Sequence, residues 1–350
     1  MRRLPVFFLL DCSESMVGER LGIMERGVQT VIKDLRTDPH ALETVFVSVI
    51  AFAGIAKNIA SMVELASFYP PKLPLGSGTD LAAGLYELMA SMDRSVMKTT
   101  ADRKGDWKPL VYLLTDGRPT SDSRQAIDRW KREFAGRATL VAVGIGAGAD
   151  LQVLRALTDN VFSLSATSEG DFRRFFNWVT ASVSMHSKSL EVGDEGGAVR
   201  NVDSTILSLI KNAPVQAAAD STVTFVGRCQ ATKRPYIIRY DKGIGSKLET
   251  RDLSLDIARY ELSGCYPLEE DYFGWSQPRP SDVEVNTSEL MGSPSCPHCG
   301  NETAFAVCGC GKLLCINGVG DAKCPWCEKM LHFSPVSGEA GGLDVTMGAG

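Results

Sequence analysis

The sequence has little of what several large classes of protein require. No run of apolar residues approaches the roughly 18 that a membrane-spanning helix needs. Basic residues are not in excess, because residues 1–187 hold 22 Lys and Arg against 21 Asp and Glu, and the remainder holds 15 against 21. Proteins that bind the phosphate backbone of nucleic acids carry a basic excess. We therefore expect no nucleic-acid partner and no membrane span.

Residues and motifs of common enzyme classes are also scarce. The first 187 residues contain only two histidines, His40 and His186. The chain has no Gly-x-Ser-x-Gly elbow, no Walker loop and no dinucleotide fingerprint. The glycine-rich segment 144–148 follows an apolar run, but it lacks the Lys and the spacing of a phosphate loop. The sequence therefore predicts a protein that is not an enzyme.

Two features indicate a cytoplasmic protein. The apolar segment Val6–Leu10 has five residues, fewer than the roughly 7–15 of a signal peptide, and Asp11 ends it. Cysteine is rare before residue 296, whereas seven of the ten cysteines fall within 296–327. Such crowding is typical of a metal site in a reducing compartment rather than of disulfide bonds.

Apolar runs that favour strands alternate with segments of helical periodicity over the first 187 residues. Val45–Phe52 and Leu110–Leu114 are apolar at nearly every position, as expected of strands that are covered on both faces. In residues 28–35 and 81–92, apolar side chains recur at helical spacing. This alternation predicts an α/β domain with a doubly wound, mostly parallel sheet flanked by helices.

The chain of 350 residues is long enough for two domains. We predict a first domain, a polar and glycine-rich linker, a second domain and a flexible tail, at residues 1–187, 188–203, 204–335 and 336–350. The second domain is predicted to be small and β-rich, with strands at 222–228 and 235–240 and a cysteine-rich module at 296–332.

Oxygen-bearing side chains occur in three separate loops of the first domain. An Asp-x-Ser-x-Ser segment follows the first apolar run, a Thr follows a glycine-rich turn, and an Asp ends a later strand: Asp11, Ser13, Ser15, Thr79 and Asp116. Alternate side chains of an extended segment face the same side. Ligands of doubly wound sheets bind at the carboxyl ends of strands. Each residue alone is equally typical of a helix cap, but together they predict one divalent-cation site.

The order of these three segments resembles the metal-ion-dependent adhesion site of von Willebrand factor A domains, over about residues 4–186. The resemblance implies that Ser13 and Ser15 bind the ion directly. It implies that Thr79, Asp11 and Asp116 bind either directly or through water. Mg²⁺ suits such oxygen ligands, with Mn²⁺ or Ca²⁺ as alternatives. In the family, a carboxylate of a partner protein completes the coordination of the ion.

The cysteines near the C-terminus are spaced like zinc ligands. Two Cys-Pro-x-Cys turns, Cys296–Cys299 and Cys324–Cys327, lie about 24 residues apart and can supply one tetrahedral site. Between them lie Cys308, Cys310 and Cys315. Seven cysteines exceed one tetrahedral site by three, so a second ion needs an eighth ligand, with three candidates: His298, His332 and Cys265.

The pairing of these cysteines stays open at the level of sequence. The alternating pairs also permit a cross-braced arrangement, in which the first and third pairs share one ion, so one or two zinc ions are compatible with the spacing. Cys12, Cys229 and Cys265 stand apart and are expected to be small buried thiols. We expect the zinc to be structural, supplying folding free energy to a small module.

The combination of a cation-dependent A domain with a C-terminal cysteine-rich region resembles the TerY-like proteins of tellurite-resistance and related stress systems. That resemblance implies a cytoplasmic adaptor linked to phospho-signalling, whose partners are a metal-dependent Ser/Thr phosphatase and a Ser/Thr protein kinase. Two alternatives remain at this stage: a zinc-ribbon protein associated with nucleic acid, and a ubiquitin-ligase-like scaffold. Residues 296–332 hold three Lys and three acidic residues, so no basic patch favours the first alternative.

Overall fold

The computed structural model describes residues 2–116, 118–146, 149–164, 169–189, 222–243, 247–250, 253–256, 259–277, 283–333 and 342–347. The chain divides into two compact units. The first unit comprises residues 1–74 and 79–218, and the second comprises residues 75–78 and 219–350. Most of the predicted linker, and the short helix that apolar residues near Ile206 suggest, lie outside the described residues.

The first unit is built on a six-stranded sheet. Its strands are β1 (Leu4–Asp11), β2 (Val45–Phe52), β3 (Ala56–Glu64), β4 (Leu110–Thr115), β5 (Thr139–Ile145) and β6 (Val161–Leu164). They lie in the order β3-β2-β1-β4-β5-β6, and every pair is parallel except β2 with β3. This arrangement confirms the doubly wound, mostly parallel sheet that the alternating pattern predicts.

Six helices accompany this sheet in the part of the first unit that the structure describes. They are α1 (Glu19–Leu35), α2 (Pro39–Thr44), α3 (Leu81–Ser95), α4 (Arg124–Glu133), α5 (Leu151–Leu157) and α6 (Glu169–Ser189). The side chains that recur at helical spacing are the buried ones, such as Val28, Val31 and Leu35 of α1. β1 and β4 are buried at every position, because helices cover both faces of the sheet. No helix among the described residues is long and apolar enough to cross a membrane.

The second unit is rich in strands, as predicted. Its described strands are β7 (Thr222–Arg228), β8 (Pro235–Lys242), β9 (Lys247–Thr250), β10 (Leu253–Asp256), β11 (Tyr260–Pro267), β12 (Glu284–Asn286), β13 (Leu290–Met291), β14 (Thr303–Val307), β15 (Leu313–Ile316), β16 (Gly320–Lys323), β17 (Met330–Phe333) and β18 (Asp344–Thr346). One short helix, α7, spans Tyr272–Trp275. The largest sheet has the order β13-β11-β8-β7-β15-β14, and three two-stranded sheets accompany it.

Two segments of the second unit differ from the sequence expectation. The glycine-rich end of the chain was expected to be flexible, but β18 pairs antiparallel with β12, and Val345 is buried. Residues 276–294 are rich in Pro and Ser and show no strand pattern in the sequence, but they contain β12 and β13. Both strands have only two or three residues, which is too short for a periodic pattern of apolar residues to appear in the sequence.

Candidate cation and zinc sites

The five oxygen-bearing residues lie in the first unit, four of them at or after the carboxyl ends of β1 and β4, and Thr79 just before α3. Asp11 is the last residue of β1, and Asp116 directly follows β4. These two strands are parallel neighbours with Leu10 opposite Leu114, so both carboxylates reach the same edge of the sheet. The strand order reverses between β1 and β4, which makes this edge the switch point where doubly wound sheets bind ligands.

The Asp-x-Ser-x-Ser segment is folded tightly against the end of β1. The backbone N–H of Ser13 donates to Oδ1 of Asp11 at 2.9 Å, and a 3₁₀ turn begins at Glu14. The hydroxyl oxygens of Ser13 and Ser15 lie 2.9 Å apart, so these two side chains share one side of the turn. Arg20 donates from Nη1 to the backbone carbonyl of Ser15 at 3.2 Å, which ties α1 to the same turn.

Thr79 is joined to the loop after β4 by a pair of reciprocal hydrogen bonds. The N–H of Thr79 donates to the hydroxyl of Thr120, and the N–H of Thr120 donates to the carbonyl of Thr79, each at 3.0 Å. The hydroxyl of Ser121 donates to Asp80 at 2.9 Å. Sequence reasoning did not single out Thr120, although it lies only four residues after Asp116. Thr120 therefore holds together two of the three loops that carry the candidate ligands.

The two carboxylates form a buried acidic pair. Asp11 is fully buried and Asp116 is 8% exposed. Oδ2 of Asp11 accepts a hydrogen bond from the hydroxyl of Thr115 at 2.5 Å, whereas the buried Oδ1 of Asp116 has no hydrogen-bond partner among the described residues. The pKa of Asp11 is raised from 3.8 to about 7, mainly by burial and secondly by the negative charge of Asp116.

This donor set fits a hard divalent cation. A buried, unpartnered carboxylate oxygen is costly, and a bound cation supplies the partner that it lacks. Two carboxylates match the charge of one divalent ion, and the serine and threonine hydroxyls can act as neutral oxygen ligands. Asp11, Ser13, Ser15, Thr79 and Asp116 are the residues that would hold Mg²⁺, Mn²⁺ or Ca²⁺ here.

Replacing Thr120 by Val tests the connection between the two loops. The valine leaves the N–H of Thr79 without its acceptor, so we expect the affinity for Mg²⁺ to fall about tenfold. Thr120→Ser keeps the hydroxyl and is expected to bind Mg²⁺ like the unaltered protein. Titration calorimetry with the full chain measures both affinities. Equal affinities in the Val and Ser variants would show that the hydrogen bond does not position Thr79.

In the second unit, eight cysteines form two groups of four. The first group is Cys229, Cys296, Cys299 and Cys315, and its sulfur atoms all lie within 4.8 Å of one another. Cys229 directly follows β7 and Cys315 lies in β15, and these two strands are paired. The sulfurs of Cys299 and Cys315 are 3.7 Å apart. Tetrahedral zinc with Zn–S bonds of about 2.3 Å places its sulfurs about 3.8 Å apart.

The second group is Cys308, Cys310, Cys324 and Cys327, with the same spread of sulfur atoms. The sulfur of Cys308 lies 3.6 Å from that of Cys327, and the sulfurs of Cys310 and Cys324 are 4.0 Å apart. Backbone N–H groups point at sulfurs in both groups: Gln230 donates to Cys315 at 3.2 Å and Trp326 donates to Cys324 at 3.4 Å. Both groups therefore have the donor chemistry and the spacing of tetrahedral zinc sites.

The grouping differs from the simplest expectation in its eighth ligand. Cys229, expected to be a solitary thiol, completes the first group, whereas Cys265, His298 and His332 lie outside both groups. Nε2 of His298 is 2.8 Å from the carbonyl of Pro235, and Nδ1 of His332 is 2.8 Å from Oδ1 of Asp321. Each imidazole is thus engaged in another contact of the fold.

The two Cys-Pro-x-Cys turns also fall in different groups. The hairpin of β14 and β15 explains this separation, because its turn carries Cys308 and Cys310 while Cys315 lies back along β15. Ligands of the two groups therefore alternate along the chain from Cys296 to Cys327. This is the cross-braced alternative that the sequence left open. The first pair, Cys296 and Cys299, shares its group with Cys315, and Cys229 serves as the partner that Cys315 lacks nearby in the sequence.

Two known domain families match the chain, one for each unit. The profile of the von Willebrand factor type A domain matches residues 6–178, and that of the TerY-C metal binding domain matches residues 219–350. The chain thus joins a von Willebrand factor type A domain to a TerY-C metal-binding domain. This pairing confirms the TerY-like organisation that the two sets of motifs predict.

Three known proteins that this chain resembles share 14–22% of the matched residues with it. Inter-alpha-trypsin inhibitor heavy chain H1 of Bos taurus is 22% identical over 158 residues, which are 44% of this chain and 17% of the bovine protein. The pilus adhesin SpaC from Lactobacillus rhamnosus GG is 14% identical over 53% of this chain and 30% of its own, with a TM-score of 0.44. The von Willebrand factor type A protein from Catenulispora acidiphila is 20% identical over 52% of this chain and 43% of its own, with a TM-score of 0.39. The TerY-like chain spans less than half the length of each of these proteins, so their partners do not transfer to it.

Proposed function

We propose that this TerY-like protein is a non-enzymatic cytoplasmic adaptor that captures protein partners through a divalent cation held by its first unit. The unpartnered, buried Oδ1 of Asp116 carries the proposal, because it belongs to a donor set that suits a cation. Two carboxylates only match the charge of the ion, so the ion stays electrophilic and accepts a carboxylate from a partner protein.

The positions of the histidines support binding rather than catalysis. His40 lies in α2, which leads into the start of β2, whereas the cation site lies at the carboxyl ends of β1 and β4. His186 lies near the end of α6, two residues after Ser184, which donates to Asp38 beside α2. Both histidines of the first unit therefore belong to the opposite end of the sheet, and neither can serve as a general base for Ser13 or Ser15.

The two cysteine groups are proposed to hold one zinc ion each and to act as structural clips. The TerY-C region is a metal-binding domain, and thiolate groups at tetrahedral spacing favour zinc. The second unit is small and has two groups of four cysteines. Metal binding supplies much of the folding free energy of such units. The zinc would thus shape the second unit and take no part in capturing the partner's carboxylate.

A metal-dependent Ser/Thr phosphatase and a Ser/Thr protein kinase are the proposed partners, in a tellurite or stress response. This part of the proposal rests on the resemblance to TerY-like proteins and on the capacity of the cation site to dock a carboxylate. Each docking segment is expected to present an exposed Asp or Glu, since the open position of the ion binds a carboxylate oxygen.

A pull-down from the native host tests the proposal. The tagged full chain is used in buffer containing Mg²⁺ and in Mg²⁺-free buffer without chelator, so that the zinc is retained. We expect a phosphatase or kinase to be captured only with Mg²⁺, and Asp116→Ala to abolish capture. Asp159→Ala, an exposed carboxylate in the turn before β6, is the matched control and should capture normally. Equal capture with and without Mg²⁺ would contradict a cation-dependent adaptor.

The alternating zinc ligands favour one second candidate, a ubiquitin-ligase-like scaffold built on the second unit. That reading requires two cross-braced metal ions, and the eight cysteines can supply them. The same pull-down separates the two functions. A scaffold of this kind would still capture its partner after Asp116→Ala and would lose it after Cys310→Ser.

A further inference from the structure

Arg228 and Trp326 connect the ligand turns of the two cysteine groups. Arg228 directly precedes Cys229 of the first group, and Trp326 lies between Cys324 and Cys327 of the second. The guanidinium carbon of Arg228 lies 4.5 Å from the centre of the Trp326 ring, within the range of a cation–π contact. Arg228, the neighbour of a ligand of the first group, therefore packs on Trp326, which lies between two ligands of the second group.

A second contact joins the same two places. Nε1 of Trp326 donates to the carbonyl of Leu313 at 2.7 Å. Leu313 begins β15, and Cys315 follows two residues later as a ligand of the first group. β15 pairs with β7 so that Leu314 lies opposite Arg228. The indole of Trp326 is thus held both by a side chain and by a backbone carbonyl that belong to the surroundings of the first group.

The charges near Trp326 determine whether filling one cysteine group favours or opposes filling the other. A zinc ion with four thiolates carries a net charge of about −2, so two loaded groups repel each other. Arg228 and Lys312 both lie over Trp326, and no carboxylate forms an ion pair with either cation among the described residues. Their positive charges are therefore available to offset the repulsion between the loaded sites.

We propose that the two cysteine groups load zinc cooperatively, with Arg228 and Trp326 carrying the coupling. Filling the first group fixes Cys229 and Cys315, and with them Arg228 and the carbonyl of Leu313. The turn that carries Trp326 then has less conformational freedom to lose when the second group binds its ion. Coupling between two binding equilibria is reciprocal, so the second group promotes loading of the first by the same factor. This inference rests on the assignment of zinc to both groups in the proposed function.

A double-mutant cycle on the full chain measures the coupling. Cys310→Ser disables the second group and Cys229→Ser disables the first, and competition with a chromophoric chelator gives the zinc affinity of the group that remains. We expect Arg228→Ala to weaken zinc binding to the second group about tenfold when the first group is intact. When Cys229 is already replaced, only the direct attraction between Arg228 and the loaded second group is lost, so the effect should be clearly smaller. Arg234→Ala removes an exposed arginine a few residues further on and is the matched control.

One further variant, Trp326→Phe, separates the two contacts of Trp326 and keeps all eight cysteines. Trp326→Phe keeps an aromatic ring under Arg228 but removes the hydrogen bond to Leu313, so we expect a smaller loss of affinity than with Arg228→Ala. Arg228→Ala could weaken zinc binding to the second group equally in the chain with Cys229 and in the chain with Cys229→Ser. That result would overturn the coupling, because the arginine would then act on one site only. No loss in either background would overturn it as well. A chain that binds no zinc at all would instead refute the zinc assignment itself.

Discussion

Cys229→Ser is expected to reduce the zinc content of the chain from two ions to one and to loosen the strands around the first cysteine group. Structural zinc in small modules contributes about 10–16 kcal/mol at neutral pH, which equals or exceeds the whole stability of most domains. Cys229 supplies one of four thiolates, and its turn is tied to Cys315 through the N–H of Gln230. Losing this ligand therefore removes the metal that joins β7 to β15, and it leaves only the strand pairing and the hydrogen bond from Gln230 to hold them together.

Zinc analysis by mass spectrometry and amide hydrogen exchange check this expectation. The amides of β7 and β15 should exchange faster in Cys229→Ser than in the unaltered chain. Cys265→Ser is the matched control, because Cys265 is a partly buried thiol of the same unit that lies outside both groups. Cys265→Ser should keep two zinc ions and the slow exchange. A Cys229→Ser chain that still holds two ions would place the eighth ligand elsewhere, and His298→Ala would then be the variant to examine.

The residues of the candidate cation site are the most predictable part of the chain, because a general rule of the fold connects distant residues. Asp11 and Asp116 lie far apart in the chain, but the loops at the carboxyl ends of parallel strands meet at one edge of a sheet. Thr79 is joined to the loop after β4 by its hydrogen bonds with Thr120. The strands themselves were recognisable, because β1 and β4 are apolar at nearly every position. The residues of the candidate cation site therefore follow from a pattern that the sequence displays, whereas the hydrogen bonds of Thr120 that join two of its loops do not.

Cys229 is the zinc-type ligand that the sequence does not identify. Its partners in the first group lie more than sixty residues further along the chain, and β7 reaches them only by pairing with β15. No local periodicity records such a pairing. The cysteine count was the one available signal, since seven clustered cysteines require an eighth ligand for a second ion. Cys229 has one property that Cys12 lacks, a turn closed by Thr232 donating its N–H to the sulfur, but that contact is visible only in the structure.

Raising the pH from about 5 to 8 is expected to destabilise the metal-free first unit and to increase the stabilisation that Mg²⁺ provides. Burial and the charge of Asp116 raise the pKa of Asp11 from 3.8 to about 7. Between these values the folded protein keeps a proton that the unfolded chain has released, so the free energy of unfolding falls as the pH rises. The fall ends above about pH 7. The whole shift corresponds to about 4 kcal/mol, of which about 3 kcal/mol is lost above pH 5.

Mg²⁺ reverses this trend because it binds the carboxylate rather than the carboxylic acid. At pH 5 the proton on Asp11 competes with the ion, so added Mg²⁺ should change the stability little. At pH 8 the competition is absent and the two buried carboxylates repel, so saturating Mg²⁺ should give its largest gain. Urea unfolding of the full chain, followed at several pH values with and without Mg²⁺, measures both trends.

Asp116→Asn separates two effects of the acidic pair: the loss of stability that its repulsion causes without metal, and the binding of Mg²⁺. The amide removes the charge that helps to raise the pKa of Asp11, so the metal-free variant should be more stable at pH 8 than the unaltered protein. The same change removes a candidate ligand, so Mg²⁺ should no longer stabilise the variant. Asp159→Asn alters an exposed carboxylate and should change neither property. The opposite result, a loss of stability at pH 8 in metal-free Asp116→Asn, would mean that Asp116 supports the fold directly. The buried acidic pair would then not be a feature that costs stability and serves to bind a cation.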